Sequence, residues 1–222
     1  MTHLPGKTAE DAERWWRAYQ LAGSDQVGEL RRLAAAGDEH AGRQLASWLS
    51  DRDSLDEAIE VIRPLADAGD DVAELWLARW LADCGRLEEL SRRADGGSYH
   101  ASRKLARCLA VHDLLDELRA RADAGSYPAL QELAEWLANR ERLGELRALL
   151  VNHREQLAGW LARGAYPMRV VRLAAELGDD TARRRLQVWL TGLRERADAD
   201  DEHAREFLAG NPDWQQFQAG WA

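Results

Sequence analysis

A short pattern recurs along the chain, and it constrains the fold more than any other feature of the sequence. Each copy has a glycine followed by Asp or Ser, an alanine four residues after the glycine, and a run close to Leu-Ala-x-Trp-Leu. The copies occupy residues 34–49, 66–81, 94–109, 122–137 and 175–190, and a fainter copy occupies 197–212. Recurrence at a nearly fixed spacing is the signature of repeat proteins, in which similar units stack side by side. The sequence therefore predicts a stack of units.

A second segment lies between these copies, and its apolar residues recur at positions i, i+3 and i+7. It begins at residues 27, 59, 87, 115, 143, 168 and 190. Both segments have the periodicity of α-helices, and no alternating run bounded by turn residues indicates a strand. Glycine can end one helix in the left-handed conformation, and Asp or Ser can accept the unpaired N–H groups that begin the next. Each unit is therefore predicted to contain a B helix and an A helix joined by a tight turn.

The predicted fold class is all-α, an α-solenoid of about six to seven short helix pairs with helical caps. We expect a single domain over 1–222, with an N-terminal cap helix in 8–26 and the repeats in 27–198. A degenerate repeat and a C-terminal cap helix are expected in 199–222. Helices of about ten residues are marginal in water alone, so contacts between neighbouring units must stabilise the B helices.

Three irregularities interrupt the array. Pro64 lies inside a B helix, where its ring removes one backbone hydrogen bond and should bend the last turn. In the fifth unit the A helix is about one turn short, and residues 164–167 are predicted to turn into the next B helix. The sixth unit has so little between its two segments that one long helix is expected over 180–198.

Both ends of the chain carry aromatic residues on predicted helices. These are Trp15, Trp16 and Tyr19 on the N-terminal cap helix, and Trp214, Phe217 and Trp221 on the last helix. The last three share one face, since they are spaced i, i+3 and i+7. That face either covers the last repeat or docks on a partner.

The glycine turn, the alanine that follows it and the Leu-Ala-x-Trp-Leu run, as at 133–137, resemble a known family. They are similar to the tetratricopeptide-like, Sel-type helical repeats of bacteria, and particularly to degenerate arrays in actinobacterial proteins. The resemblance covers residues 27–190. It implies a right-handed solenoid whose concave face, lined largely by A helices, holds peptides or partner proteins. The unit here is about 28 residues, shorter than is usual for helix-pair repeats, which leaves the curvature and the groove width open.

The overall charge disfavours several kinds of partner. The net charge is -9, which repels nucleic acid and anionic membranes. The first residues contain no apolar run of secretory length, and no stretch of about 18 apolar residues occurs. We therefore expect a cytoplasmic protein that binds neither nucleic acid nor membrane. Cys84 and Cys108 lack metal-ligand spacing and are interpreted as reduced structural thiols.

No catalytic, nucleotide or metal motif is present in the sequence. His40, His100 and His203 share one repeat position, but the units that hold His40 and His100 are separated by another unit, so a shared metal ion is not expected. The sequence predicts that the chain is not an enzyme and has no cofactor.

A column of tryptophans is the most visible feature of the repeat. Trp48, Trp80, Trp136 and Trp189 share one position, where the third unit has Cys108. We interpret this column as core packing between adjacent units, with an aromatic ladder facing a ligand as the alternative. Trp76 differs, because other units have polar residues at its position. It is therefore a candidate contact residue.

The candidate binding site combines Trp76 with cations of two A helices. Arg103, Lys104 and Arg107 lie on the polar side of one A helix, and Arg79 precedes Arg107 by one unit at the equivalent position. On an acidic protein these cations could receive a carboxylate-rich peptide. The alternative is a solvated face. In that case intrahelical pairs, or pairs with Glu132 and Glu135 of the next unit, would make the cations structural.

The leading functional hypothesis is a scaffold or adaptor that binds a protein or peptide, with acidic segments favoured, on the concave face of the solenoid. A small-molecule sensor or biosynthetic accessory protein, with the aromatic residues forming a pocket, is the main alternative. An enzyme on a HEAT-like scaffold, such as a DNA glycosylase, would need a basic groove with a buried carboxylate, and the net charge disfavours it.

Overall fold

The computed structural model describes residues 9–153, 156 and 168–211. Those residues form thirteen α-helices and no β-strand, which confirms the all-α class. The contacts between Cα atoms divide the chain into two compact units, Met1–Leu118 and Arg119–Ala222. Each unit is described by itself.

The helices alternate between the predicted B and A segments. In the first unit they are α1 (Ala9–Gly23), α2 (Val27–Ala35), α3 (Glu39–Ser50), α4 (Leu55–Asp67), α5 (Asp71–Asp83), α6 (Leu87–Asp95) and α7 (Tyr99–Val111). Helix α8 (Leu115–Asp123) contains the boundary between the units. The second unit has α9 (Tyr127–Asn139), α10 (Leu143–Asn152), α11 (Met168–Glu176), α12 (Asp180–Asp198) and α13 (Glu202–Gly210).

Most of the predicted helices are present. The N-terminal cap helix is α1, and the long helix expected over 180–198 is α12. Helix α4 continues through Pro64 to Asp67. The expectations for the turn at 164–167 and for the C-terminal aromatic residues lie outside the described residues, as does nearly all of the fifth A helix.

The glycine turns have the predicted geometry. Gly37, Gly69, Gly97, Gly125 and Gly178 all have φ between 90° and 94°. The residue after the glycine caps the A helix in four of these five turns, as when the Asp70 carboxylate accepts a hydrogen bond of 3.0 Å from the backbone N–H of Ala73. Ser126 has the same backbone conformation, but its side chain makes no capping hydrogen bond.

The opposite turn, from an A helix to the next B helix, also uses the left-handed conformation. Most of its left-handed residues are not glycine. They are Asp25, Asp53, Asp113 and Glu141, with φ from 55° to 58°, and Gly85 has φ 68° at the equivalent position. Asp200, with φ 70°, instead takes the place of glycine in the turn before the last described helix. Non-glycine residues adopt this conformation at a cost, and Asp does so more readily than most. The array therefore has two recurring turns, of which the sequence pattern predicted one.

Within the first unit each helix packs against its neighbour in the chain. In addition α1 contacts α3, and the A helices α5 and α7 contact each other. The buried side chains are mainly leucine, isoleucine and alanine at the predicted positions. Among those with at most 2% exposure are Leu45, Leu49, Ile59, Ile62, Leu77, Leu81, Leu90, Leu105 and Leu109. In the second unit α9 and α11 each contact α10, and α12 contacts α11 and α13.

Ion pairs between successive B helices recur beside this core. Arg31 of α2 pairs with Glu57 of α4, and Arg63 of α4 pairs with Glu89 of α6 at 3.0 Å. In the second unit Arg119 pairs with Glu145 at 2.9 Å. In each pair the two residues are 26 positions apart in the sequence. Much of the arginine content of the B helices is therefore structural.

Candidate functional site

One side of α5 is unusually apolar for an exposed helix face. Val72 and Leu75 are 46% and 42% exposed, and Trp76 next to them is half-buried. The ring centres of Trp76 and the buried Trp80 lie 5.8 Å apart, and the rings are tilted by 42° to each other. The two rings therefore pack together. Trp76 therefore remains available to a ligand through the exposed part of its ring.

Three cations lie on the exposed side of α7. Arg103 and Arg107 are exposed, Lys104 is half-buried, and all three are within one helical turn of one another. None of their side chains forms a hydrogen bond or an ion pair with a residue that the structure describes. Like charges spaced i, i+3 and i+4 on a helix repel each other by a few tenths of a kcal/mol. The cations therefore carry unneutralised charge at the surface.

This lack of carboxylate partners is uncommon in the first unit. Every described arginine there pairs with a carboxylate, with three exceptions: Arg92, Arg103 and Arg107. Arg79, the fourth predicted cation, lies 3.6 Å from Asp83, but both side chains are more than half exposed. Such an exposed pair holds its cation weakly, so Arg79 can also exchange Asp83 for a ligand.

Helices α5 and α7 pack together. Burial raises the pKa of the Cys108 thiol above its ordinary value, and Lys104, Asp83 and Arg107 are close enough to act on the same thiol. The residues of α5 and α7 predicted from the sequence therefore lie on adjoining helices of one unit. We call Trp76, Arg79, Arg103, Lys104 and Arg107 the α5–α7 surface.

The tryptophan column combines burial with cation stacking. Trp80 is buried, whereas Trp48, Trp136 and Trp189 are half-buried. The guanidinium carbon of Arg52 lies 3.8 Å from the centre of the Trp48 ring, and Arg140 lies 4.1 Å from that of Trp136. In these two turns an arginine covers the part of the ring that the core leaves exposed.

At Trp189 an aromatic side chain takes the place of that arginine. Phe207 packs edge-on against Trp189, with 5.5 Å between the ring centres. Among the described residues the column thus serves mainly to pack and cover the ends of A helices.

Two of the three histidines at the shared repeat position, His40 and His100, bind carboxylates. Nε2 of His40 lies 2.8 Å from Asp11, and Nε2 of His100 lies 3.1 Å from Asp71. Nδ1 of His40 faces Arg43 at 3.1 Å. A guanidinium group only donates, so Nδ1 accepts this hydrogen bond and Nε2 donates to Asp11. In the part of the chain that the structure describes, no group of three His, Cys, Asp or Glu residues could hold a metal ion.

Sequence reasoning missed the exposure of the aromatic residues on α1. The prediction placed them on a cap helix, but Trp15, Trp16 and Tyr19 are 43%, 51% and 51% exposed and Ala18 is the buried residue of this helix. The Trp15 and Tyr19 rings stack at 5.5 Å, and Trp16 and Tyr19 at 5.7 Å. Their i, i+3 and i+4 spacing places them on the same side of the helix, which is the signal that the sequence contained.

No protein-family model matches the chain, and no curated protein or solved structure matches it significantly. Across the described residues, no helix combines the length and the apolar character that crossing a membrane requires. The geometry of the surfaces is therefore the basis for a functional proposal.

Proposed function

We propose that this chain is a cytoplasmic binding scaffold, and that the α5–α7 surface binds an acidic segment of a partner protein or a peptide. The observation that carries the proposal is that three adjacent cations have no partner among the described residues. In a unit where nearly every other arginine is paired, Arg103, Lys104 and Arg107 of α7 keep their charge available. A carboxylate-rich ligand supplies the hydrogen-bond acceptors that these cations lack.

The neighbouring residues define a second property of the ligand. Val72, Leu75 and Trp76 offer apolar contact on α5, the helix that packs against α7. Aromatic and arginine side chains contribute most of the binding energy in many protein interfaces. The proposed ligand therefore alternates acidic and apolar side chains, so that acidic groups meet α7 and apolar groups meet α5.

The proposed architecture is the right-handed α-solenoid to which the repeat pattern is similar, with six to seven helix pairs and the A helices on its concave face. Two observations support it: the recurrence of both turns at equivalent positions, and the contacts of α1 with α3 and of α5 with α7. Small-angle X-ray scattering on the full chain tests the architecture. An elongated, curved envelope supports it, and a pair of compact, independently moving bundles contradicts it.

The binding proposal is tested with short fluorescent peptides that alternate Leu and Glu, measured by polarisation against the full chain. Peptides of the same length that alternate Leu and Lys are the ligand control. The Arg103→Glu/Arg107→Glu variant should bind the acidic peptide about tenfold more weakly or worse, because each lost contact involves a charged hydrogen bond. The Trp76→Ala variant should weaken binding of the Leu-Glu peptide but not that of a peptide of glutamate alone.

A matched pair of arginines provides the protein control. Arg147 and Arg184 are exposed, and neither pairs with a residue that the structure describes. The Arg147→Glu/Arg184→Glu variant therefore changes the net charge by the same amount at other places. Equal weakening by both double variants would show that only the overall charge matters. Equal binding of the acidic and basic peptides to the wild-type chain would also contradict the proposal.

A further inference from the structure

A cavity of about 480 Å³ lies on the B-helix side of the first unit, away from the residues of the α5–α7 surface. Its walls come from α4, the turn before α6 and α6 itself. All of the lining residues are charged: Arg63, Asp67, Arg86, Glu89, Arg92 and Arg93. A second cavity shares Arg86, Glu89 and Arg92 with it. Four guanidinium groups thus surround one space on a protein whose net charge is -9.

Glu89 is the central carboxylate of this cavity, and three guanidinium groups share it. Its oxygens lie 3.0 Å from Arg63, 3.0 Å from Arg86 and 3.9 Å from Arg93. One carboxylate has acceptor sites for several donors but only one negative charge. Glu89 alone therefore cannot neutralise the three cations around it.

Two further donors in the cavity wall have no acceptor among the described residues. Arg92 is exposed and makes no hydrogen bond or ion pair there. Nε of Arg93 is buried without a hydrogen-bond partner, because Glu89 is too distant at 3.9 Å. A buried donor without an acceptor is costly, and in native proteins such a group often marks a site for water or an ion.

The other carboxylates near the cavity leave this imbalance largely in place. Asp56, Glu60 and Asp67 are 93%, 59% and 56% exposed, so solvent screens their charge strongly. Glu74 is buried to the same extent as Arg93 and pairs with it at 2.9 Å. The less exposed part of the network thus has the carboxylates Glu74 and Glu89 against the guanidinium groups of Arg63, Arg86 and Arg93, and the exposed Arg92 lies beside them.

We propose that this cavity binds a small multivalent oxyanion of the phosphate class, such as inorganic phosphate or diphosphate. Guanidinium groups match phosphate oxygens in geometry, and Arg92 and Nε of Arg93 are the donors without acceptors. The lining contains no aromatic or aliphatic side chain on which a nucleobase could stack. The site therefore recognises the anion itself and gains nothing from an attached nucleoside.

The experiment is isothermal titration of the full chain with diphosphate. The critical variant is Arg92→Gln, which leaves the described ion pairs intact and should fold normally. It should weaken diphosphate binding about tenfold or more, because one charged hydrogen bond is lost. Arg147→Gln is the matched control, since Arg147 is also exposed and unpaired among the described residues, and it should leave the affinity unchanged. Adenosine diphosphate should bind no more tightly than diphosphate.

Any of the following results would overturn the proposal. The first is no heat of binding and no thermal stabilisation by diphosphate at millimolar concentration. The second is equal weakening by Arg92→Gln and Arg147→Gln, which would indicate binding to overall charge. The third is much tighter binding of adenosine diphosphate than of diphosphate, which would show that the site recognises the nucleoside. A second variant, Arg86→Gln, should also weaken binding, and unchanged affinity in both cavity variants would place the anion elsewhere.

Discussion

Helices α6 and α7 follow one another in the chain, yet Arg93 of α6 and the basic residues of α7 have opposite environments. Arg93 of α6 is 16% exposed and donates hydrogen bonds of 2.6 Å to Asp67 and 2.9 Å to Glu74. Arg103 and Arg107 of α7 are exposed and bind no described carboxylate. The same residue type thus fixes neighbouring helices in one place and leaves charge for a ligand in the other.

Burial decides which of these roles a cation has. An ion pair at the surface contributes little, because water and salt screen it and both side chains lose freedom. In a partly buried pair, removing one partner leaves the other desolvated and uncompensated, which is strongly destabilising. Arg93 forms a partly buried pair of this kind. The α7 cations form no ion pair with a described residue. Substitution of Arg93 should therefore change mainly the stability, and substitution of the α7 cations mainly the binding.

The largest effect is expected from Arg93→Ala. This change removes two charged hydrogen bonds and leaves Glu74, which is 15% exposed, without its guanidinium partner. We expect the free energy of unfolding to fall by about 2–3 kcal/mol. The measurement is urea unfolding followed by circular dichroism.

The neighbouring Arg92→Ala is the matched control for that experiment. Arg92 is exposed and unpaired among the described residues, so its removal should change stability by less than about 0.5 kcal/mol. Similar losses in both variants would mean that helical position, not pairing, determines the effect.

The contrast between these adjacent arginines could not be predicted from the sequence. The partners of Arg93 lie 26 and 19 residues away, and the repeat pattern does not say which carboxylates face it. By contrast, local chemistry suffices for the helices and the glycine turns. Helical spacing and a glycine followed by Asp or Ser are both short-range signals. The turns with Asp25 or Asp53 escaped prediction because Asp is compatible with many backbone conformations.

A substitution in the turn between α6 and α7 gives the next largest expected effect on stability. Gly97 has φ 92°, and a Cβ atom added to it would meet nothing within 4 Å. The cost of Gly97→Ala is therefore one of backbone conformation alone, and we expect a loss of about 1–2 kcal/mol. Gly28→Ala is the control, because Gly28 lies inside α2 with open space around it. It should stabilise the chain by up to about 1 kcal/mol, since alanine is the better helix former. Destabilisation by Gly28→Ala of the same size would contradict this explanation.

The ion pairs of the B helices should make the stability of the chain depend on pH in acid. Hydrogen bonds from Arg31 and Arg63 lower the pKa of Glu57 and Glu60, respectively, below the ordinary value of 4.5. A carboxyl group with a lowered pKa contributes stability that is present above pH 4.5 and is lost as the pH falls through its folded value. We therefore expect the urea midpoint to decrease below pH 4.5.

The contribution of the pair between Arg31 and Glu57 to this loss of stability in acid can be measured separately. Glu57→Gln removes one of the titrating carboxyl groups while keeping a similar side-chain shape. The decrease in the urea midpoint below pH 4.5 should therefore be smaller in this variant than in the wild type. An unchanged decrease would show that the pair between Arg31 and Glu57 contributes nothing measurable.

The candidate site was predictable to the extent that it departs from the repeat. Trp76 was noticed because other units have polar residues at its position, and the α7 cations because they form a cluster. The cavity around Glu89 was not noticed, because its arginines belong to two helices that are distant in sequence. Exposure of the α1 aromatic residues also depends on packing, which helical periodicity alone does not determine.

The smallest stability change is expected at the α5–α7 surface. Arg107→Glu replaces a repulsive neighbour of Arg103 and Lys104 with an attractive one at spacings i, i+4 and i+3. Stability should stay the same or rise by up to about 0.5 kcal/mol, in thermal and urea unfolding alike. Binding of the Leu-Glu peptide should nevertheless weaken, because a cation that contacts the ligand is reversed. A loss of more than about 1 kcal/mol would place Arg107 with Arg93 among the structural cations. The α7 cations would then stabilise the fold as Arg93 does, and their charge would not be available to a ligand.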